Sequence, residues 1–283
     1  MEALIESARS RGSPLVVGLD PMPGRLPASL LARGEAEVEL VGRFCLGVLE
    51  SVSEEVAAVK LQAACYERLG PEGMSLYHRL IEAAADLGLP VIADVKRGDI
   101  GEVAAAYAEA HLEVYGASCV TVNPYMGEDA VVPFLEKVRE LGRGGGVFVL
   151  VATSNPSASG VQSSTTPPLF EVSARLVKRL GVEQGGYPDA GAVVGATRPE
   201  VGKRVRELLP GHLFLVPGYG AQGGGVREVV PLLNERGAGV LVNSSRGVLY
   251  AYERGAEPDW RRASRAAARL AKEALLSGGV GVG

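Results

Sequence analysis

Pro90-Val91-Ile92-Ala93-Asp94-Val95-Lys96-Arg97-Gly98-Asp99-Ile100 is the stretch whose pattern decides the architecture. It starts as a short apolar, β-branched run and breaks into charge at Asp94, Lys96 and Asp99. The run predicts a strand over 90–95. Amphipathic stretches flank it at 73–87 and 102–115. The same alternation continues in both directions. Further strands are expected at 14–19, 56–61, 119–123, 147–153, 192–196, 213–216 and 239–242. Further helices are expected at 35–52, 129–141, 169–184, 198–209, 226–236 and 259–276. Alternation of this kind favours a parallel sheet covered by helices. Eight repeats in 283 residues fit one closed α/β TIM-type (β/α)8 barrel, which typically needs about 250 residues. Nothing Pro/Ser-rich divides the chain, so residues 1–283 read as a single barrel domain with a short N-terminal helix. The Gly-rich segment 278–283 reads as a flexible tail.

Bulk composition narrows the function classes. The formal net charge is −4, which argues against a general nucleic-acid or membrane-surface binder. Cys45, Cys65 and Cys119 are odd in number and widely spaced, which disfavours a disulfide framework or a zinc site. Each reads as a small buried residue in a reducing compartment. The start MEALIESARSRG has no apolar core of a secretory signal, and no apolar run is long enough for a bilayer. A soluble, cytoplasmic protein is the expectation.

Active sites of such barrels sit at the C-terminal strand ends. The first strand ends in Leu19-Asp20-Pro21, the second carries Lys60, and the third ends in Asp94 followed by Lys96 and Asp99. Strand period two puts Asp94 and Lys96 on one face if the strand persists that far. An ordinary salt-bridge network is the competing reading. It loses ground because buried charge is costly and apolar residues would serve stability as well. Asn123 ends the fourth strand, where either ligand contact or Asn-Pro turn chemistry fits. Ser154 opens the long polar segment 155–168 (NPSASGVQSSTTPP), which reads as a structureless lid or binding loop. The seventh strand runs into Pro217-Gly218-Tyr219-Gly220-Ala221-Gln222-Gly223, and the eighth into Asn243-Ser244-Ser245-Arg246-Gly247. Glycines let backbone N–H groups approach an anion, Arg supplies a forked cation, and phosphate sites in these barrels use these two loops. His78, His111 and His212 fall away from strand ends, and no HxH or HExxH spacing suggests a metal.

The segments VVGLDP (16–21), AVKLQ (58–62), ADVKRGDIG (93–101), TVNPYMG (121–127), ATSNP (152–156), VPGYGAQGG (216–224) and VNSSRG (242–247) follow in order along nearly the whole chain. In this the sequence resembles the orotidine 5'-phosphate decarboxylase family, in its longer bacterial subgroup. The resemblance implies decarboxylation of orotidine 5'-monophosphate to uridine 5'-monophosphate without a cofactor or metal. It implies Lys96 as proton donor, Asp94 against the substrate carboxylate, and Lys60 linking the charges to the ribose, with Asp20 on a ribose hydroxyl. Asp99 and Ile100 would reach a neighbouring subunit's site, so a homodimer is implied. Ser154 would bond the pyrimidine. Pro217, Gln222 and Arg246 would close over the substrate, the last two on the phosphate, beside Gly218, Gly223 and Gly247. The chain departs from the family at Val103, where a Thr is frequent, and Leu61 and Ala152 are also less usual. A related aldolase or 3-keto-hexulose-phosphate decarboxylase would generally need magnesium and a metal-ligand carboxylate near the second strand, in place of Lys60. A non-catalytic phosphosugar-binding barrel would predict a broken charge set.

Overall fold

The eight apolar runs form strands β1 (Leu15–Leu19), β2 (Ala58–Gln62), β3 (Val91–Arg97), β4 (Cys119–Val122), β5 (Gly146–Ala152), β6 (Ala190–Val194), β7 (Phe214–Val216) and β8 (Val240–Ser244), each within two residues of its expected place. In this computed structural model, which describes residues 1–220, 225–255 and 257–283 apart from the side chain of Gln184, they close into a barrel in the order β1-β8-β7-β6-β5-β4-β3-β2. All eight pairings are parallel. The principal helices are α1 (Glu2–Arg11), α2 (Glu37–Val52), α3 (Gly70–Asp86), α4 (Gly101–Ala108), α5 (Val132–Leu141), α6 (Leu169–Leu180), α7 (Pro199–Leu208) and α8 (Trp260–Ser277).

The two faces of each strand are sorted by their period of two. Val17, Leu19, Val59, Leu61, Ala93, Val95, Val120 and Val122 face outward into the layer of helices. Val16, Ala58, Ile92, Cys119, Phe148 and Leu241 fill the barrel, and α1 seals the end opposite the C-terminal strand ends with Met1, Leu4, Ile5 and Ala8. Along β2 and β3 the inward positions after Ala58 and Ile92 are Lys60 and Asp94. A slip of one residue would send both to the helix side and expose the apolar set, so burial of the apolar face fixes the charges inside.

Four expectations change. The helix expected over 169–184 stops at Leu180, and Glu183–Gln184 pairs antiparallel with Tyr187–Pro188. Gly185 and Gly186, at φ 63° and 94°, make the tight turn between them, a conformation that glycine adopts without steric cost. The helix expected over 226–236 is one α turn, Val226–Val229, continued as a 3₁₀ turn Val230–Leu232, because Pro231 lacks the N–H needed to go on. The segment 155–168 is not structureless. It holds a 3₁₀ turn Pro156–Ala158 and a helical turn Ser159–Gln162. Gln162 ties that segment back to β5, accepting from Thr153 N at 3.1 Å and donating to Thr153 Oγ1 at 2.7 Å. The Gly-rich tail is also not frayed. Val280 is buried, Gly281 N donates to Gly237 O at 2.7 Å, and Arg9 Nε donates to Gly283 O at 3.0 Å.

Arg206 of α7 is buried, with no carboxylate partner among the described residues. Its guanidinium donates to the backbone oxygens of Leu232 (2.7 Å), Leu209, His212 and Gly239 (2.8 Å each), and lies over the Phe214 ring at 3.6 Å. One side chain thus gathers the chain before β7, the chain before β8 and the end of α7.

Candidate active site

Lys60 is almost fully buried, and its ammonium lies 3.1 Å from Asp20 Oδ1 and 3.1 Å from Asp94 Oδ2. Burial alone disfavours its charge, but Asp20 and Asp94 outweigh burial and raise its pKa above the ordinary lysine value. Asp94 is held on both oxygens. Oδ1 accepts from Thr121 Oγ1 at 2.9 Å and from the Lys96 ammonium, and Oδ2 accepts from Gln62 Nε2 at 3.2 Å as well as from Lys60. Burial again opposes the charged form, and Lys60 and Lys96 overcome it, so the carboxyl sits well below the usual carboxylate range. Four donors on one carboxylate use its lone-pair capacity, and the group is a fixed anion. The charges form a row across three neighbouring strands: Asp20, Lys60, Asp94, Lys96.

Lys96 is the one non-glycine residue among those described with a left-handed backbone, at φ 49°. The pairing of β3 with β4 jumps from Ala93↔Val120 to Arg97↔Val122, so β3 carries two extra residues there. The bulge turns the Lys96 side chain back to Asp94, and Lys96 N donates to Thr121 Oγ1 at 3.0 Å. A left-handed lysine costs on the order of 1–3 kcal/mol, a strain that surrounding structure must hold.

These groups line a cavity of about 730 Å³ at the C-terminal strand ends. Ser154, Pro217, Gly218 and Arg246 line the same cavity. Gly247 lies next to Arg246 in the turn Arg246–Leu249. Gln222 and Gly223 fall outside the described residues. Asn123 does not reach the cavity. It is exposed, and its Oδ1 accepts from Tyr125 N at 3.1 Å, so turn chemistry wins at that position. Asp99 stands apart from the row within this chain, its Oδ1 accepting from Ile100 N at 2.9 Å, and Ile100 is half exposed.

Several lining groups escape a reading of strand ends alone. Thr121 looks like a β-branched strand residue, yet it holds both Asp94 and Lys96 N. Asn243 and Ser245 continue the inward face of β8 into the cavity. Gly18 is required by close approach, since a Cβ there would lie 2.0 Å from Ser245 Oγ and 2.9 Å from Asp20 Oδ2. Cys65 lines the cavity as a half-buried free thiol, and burial pushes its pKa up to about 11. The three histidines are absent from this cavity, and burial pushes His111 and His212 down to about 4.

The sequence model of the Orotidine 5'-phosphate decarboxylase / HUMPS family matches residues 13–258. The chain belongs to this family. A relative from Deinococcus radiodurans, named Orotidine 5'-phosphate decarboxylase, is 40% identical over 283 residues, covering 99% of this chain and 98% of its own. One of the same name from Caldicellulosiruptor bescii is 36% identical over an alignment of 297 residues and covers 97% of each chain. Among solved structures, the OMP decarboxylase of Leishmania donovani superposes with a TM-score of 0.79 at 32% identity, over 99% of both chains. The chain is therefore an enzyme of the orotidine 5'-phosphate decarboxylase family. No helix among its described residues is long and apolar enough to cross a membrane.

Proposed function

We propose that the chain decarboxylates orotidine 5'-monophosphate to uridine 5'-monophosphate in pyrimidine biosynthesis, in the cytoplasm, with Lys96 as proton donor to C6. The charged row Asp20–Lys60–Asp94–Lys96, with Lys60 and Asp94 buried at its centre, carries this reading. Loss of carbon dioxide from C6 leaves an electron pair with no neighbouring sink. An ammonium already in place stabilises that charge and delivers the proton that ends the reaction. Asp94 cannot turn away from a substrate carboxylate, because four donors pin it. It disfavours the bound ground state relative to the transition state. Lys60 stands where the magnesium-dependent relatives of this fold would need a carboxylate, which favours decarboxylation through the lysine pair.

Arg246, with Gln222 and the backbone of both glycine-rich loops, takes the phosphate. Ser154 reads the pyrimidine and Asp20 a ribose hydroxyl. Binding of the phosphate draws 155–168 and 217–224 over the substrate, so remote binding energy assists the reacting end. Arg246→Ala should weaken nucleotide affinity about ten- to a hundredfold, the usual range for a charged hydrogen bond of about 1.5–3 kcal/mol, as titration with uridine monophosphate would show. Unchanged affinity would remove Arg246 from the phosphate.

Asp99 and Ile100 serve the site of a second copy. Ile100, just before α4, and Val103 on α4, with Tyr125 and Met126 beside them, form an exposed apolar patch next to the β3 end, and large exposed apolar patches mark contact surfaces. Mixing inactive Lys96→Ala and Asp99→Ala proteins should restore turnover, because each mixed dimer then holds one site with both native residues. A mixture as dead as its parents, in spite of proven subunit exchange, would place Asp99 in its own chain's site.

A further inference from the structure

Arg97 follows the strained lysine and points the other way, to the helix side of the barrel. Its guanidinium makes an ion pair with Glu67, the last residue of the short helix Ala63–Glu67 that follows directly on β2. The same guanidinium lies over the Tyr107 ring of α4 at 5.1 Å. Its backbone oxygen accepts from Asn123 N at 2.7 Å, at the end of β4. Each of the three contacts is made on, or directly after, an element that carries part of the site. β2 supplies Lys60 and Gln62, both on Asp94. β4 supplies Thr121 on Asp94 and on Lys96 N. α4 begins just after Asp99 and Ile100.

We infer that Arg97 is a positioning residue for the decarboxylation, clamping the β3 bulge so that Lys96 keeps its left-handed backbone and its ammonium stays on Asp94. The inference rests on the proposed role of Lys96. A left-handed residue without glycine's freedom relaxes unless its neighbours hold it. Thr121 holds the nitrogen side of Lys96, and Arg97, adjoining its carbonyl side, reaches two further elements. The pair with Glu67 is partly exposed, with side-chain exposures of 25% and 40%. A pair of that kind adds little to global stability. Its effect is geometric, and a displacement of about 1 Å at a reacting group costs on the order of a hundredfold in rate.

The test is kinetic. Arg97→Met keeps a long apolar stem against Tyr107 and removes the charge, and Glu67→Gln removes the partner while leaving Arg97 in place. Turnover of orotidine monophosphate, the dissociation constant of uridine monophosphate and the melting temperature are measured for both. Arg97→Met should lower kcat about ten- to a hundredfold, with product affinity within about twofold and little change in melting temperature. Arg97→Lys should recover part of the loss, and Glu67→Gln should reproduce part of it. If Arg97→Met does not fold, the drop in kcat at constant affinity must appear in Glu67→Gln. Unchanged kcat in a folded variant, or kcat and affinity falling together, overturns the clamp. An active Lys96→Ala enzyme overturns the parent reading instead, so the two failures are distinguishable.

Discussion

Replacing Lys96 with alanine should abolish decarboxylation and leave a folded protein that still binds nucleotide. The side chain is 43% exposed, and its ion pair with Asp94 contributes little to folding at that exposure. Its proposed work is in the reaction, as the charge opposite a developing carbanion and as the proton source. General acid catalysis typically supplies about 10²–10⁴-fold and one electrostatic contact about 10²–10³-fold, so kcat should fall by at least ~10⁴. Stopped-assay turnover, circular dichroism and uridine monophosphate titration together separate this from unfolding. Lys96→Gly is the sharper companion. It removes the ammonium and also relieves the left-handed backbone, so it should be as inactive as alanine and at least as stable. A lysine variant that turns over near the native rate ends the proposed mechanism.

Arg206→Met should destabilise the fold by about 3–5 kcal/mol without touching the cavity. Leu209 O and Gly239 O keep other donors, from His212 N and Phe214 N. Leu232 O and His212 O accept from Arg206 and from no other donor among the described residues. Two buried carbonyls left without a donor cost about 1–3 kcal/mol each, and the lost stacking over Phe214 adds to that. Denaturant unfolding measures the difference, while kcat of the fraction that remains folded should stay near native. A loss under about 1 kcal/mol would mean that solvent reaches these carbonyls and satisfies them.

Which parts of the molecule are legible in the sequence follows from how local their causes are. The strands are legible because an apolar β-branched run between helical patterns needs only its own residues. Lys60 and Asp94 are legible because they interrupt such runs where a barrel places its site. Thr121 is not, since a threonine inside CVTV has the same strand preference as a valine, and its role appears only beside Asp94. The bulge at Lys96 is equally silent, because lysine carries no preference for a left-handed backbone and the cause is the mismatch with β4. Arg206 reads as part of the solvent face of α7 until the carbonyls of β7 and β8 approaches are seen around it. Asn123 shows the converse, a position where the sequence leaves ligand contact and turn chemistry both open. Asn-Pro has a local explanation, the turn, and the structure takes it. Asp99, proposed to serve a second copy, makes only a local bond to Ile100 N within its own chain, so its role is legible in neither the strand pattern nor one chain.

The most direct test of the central claim is the ultraviolet absorbance of orotidine monophosphate mixed with the purified protein in the presence of a chelator. The account predicts that the absorbance falls to that of uridine monophosphate with release of carbon dioxide, and that Lys96→Ala leaves it unchanged. A spectrum that stays constant with the native protein, or falls equally with the alanine variant, would contradict it.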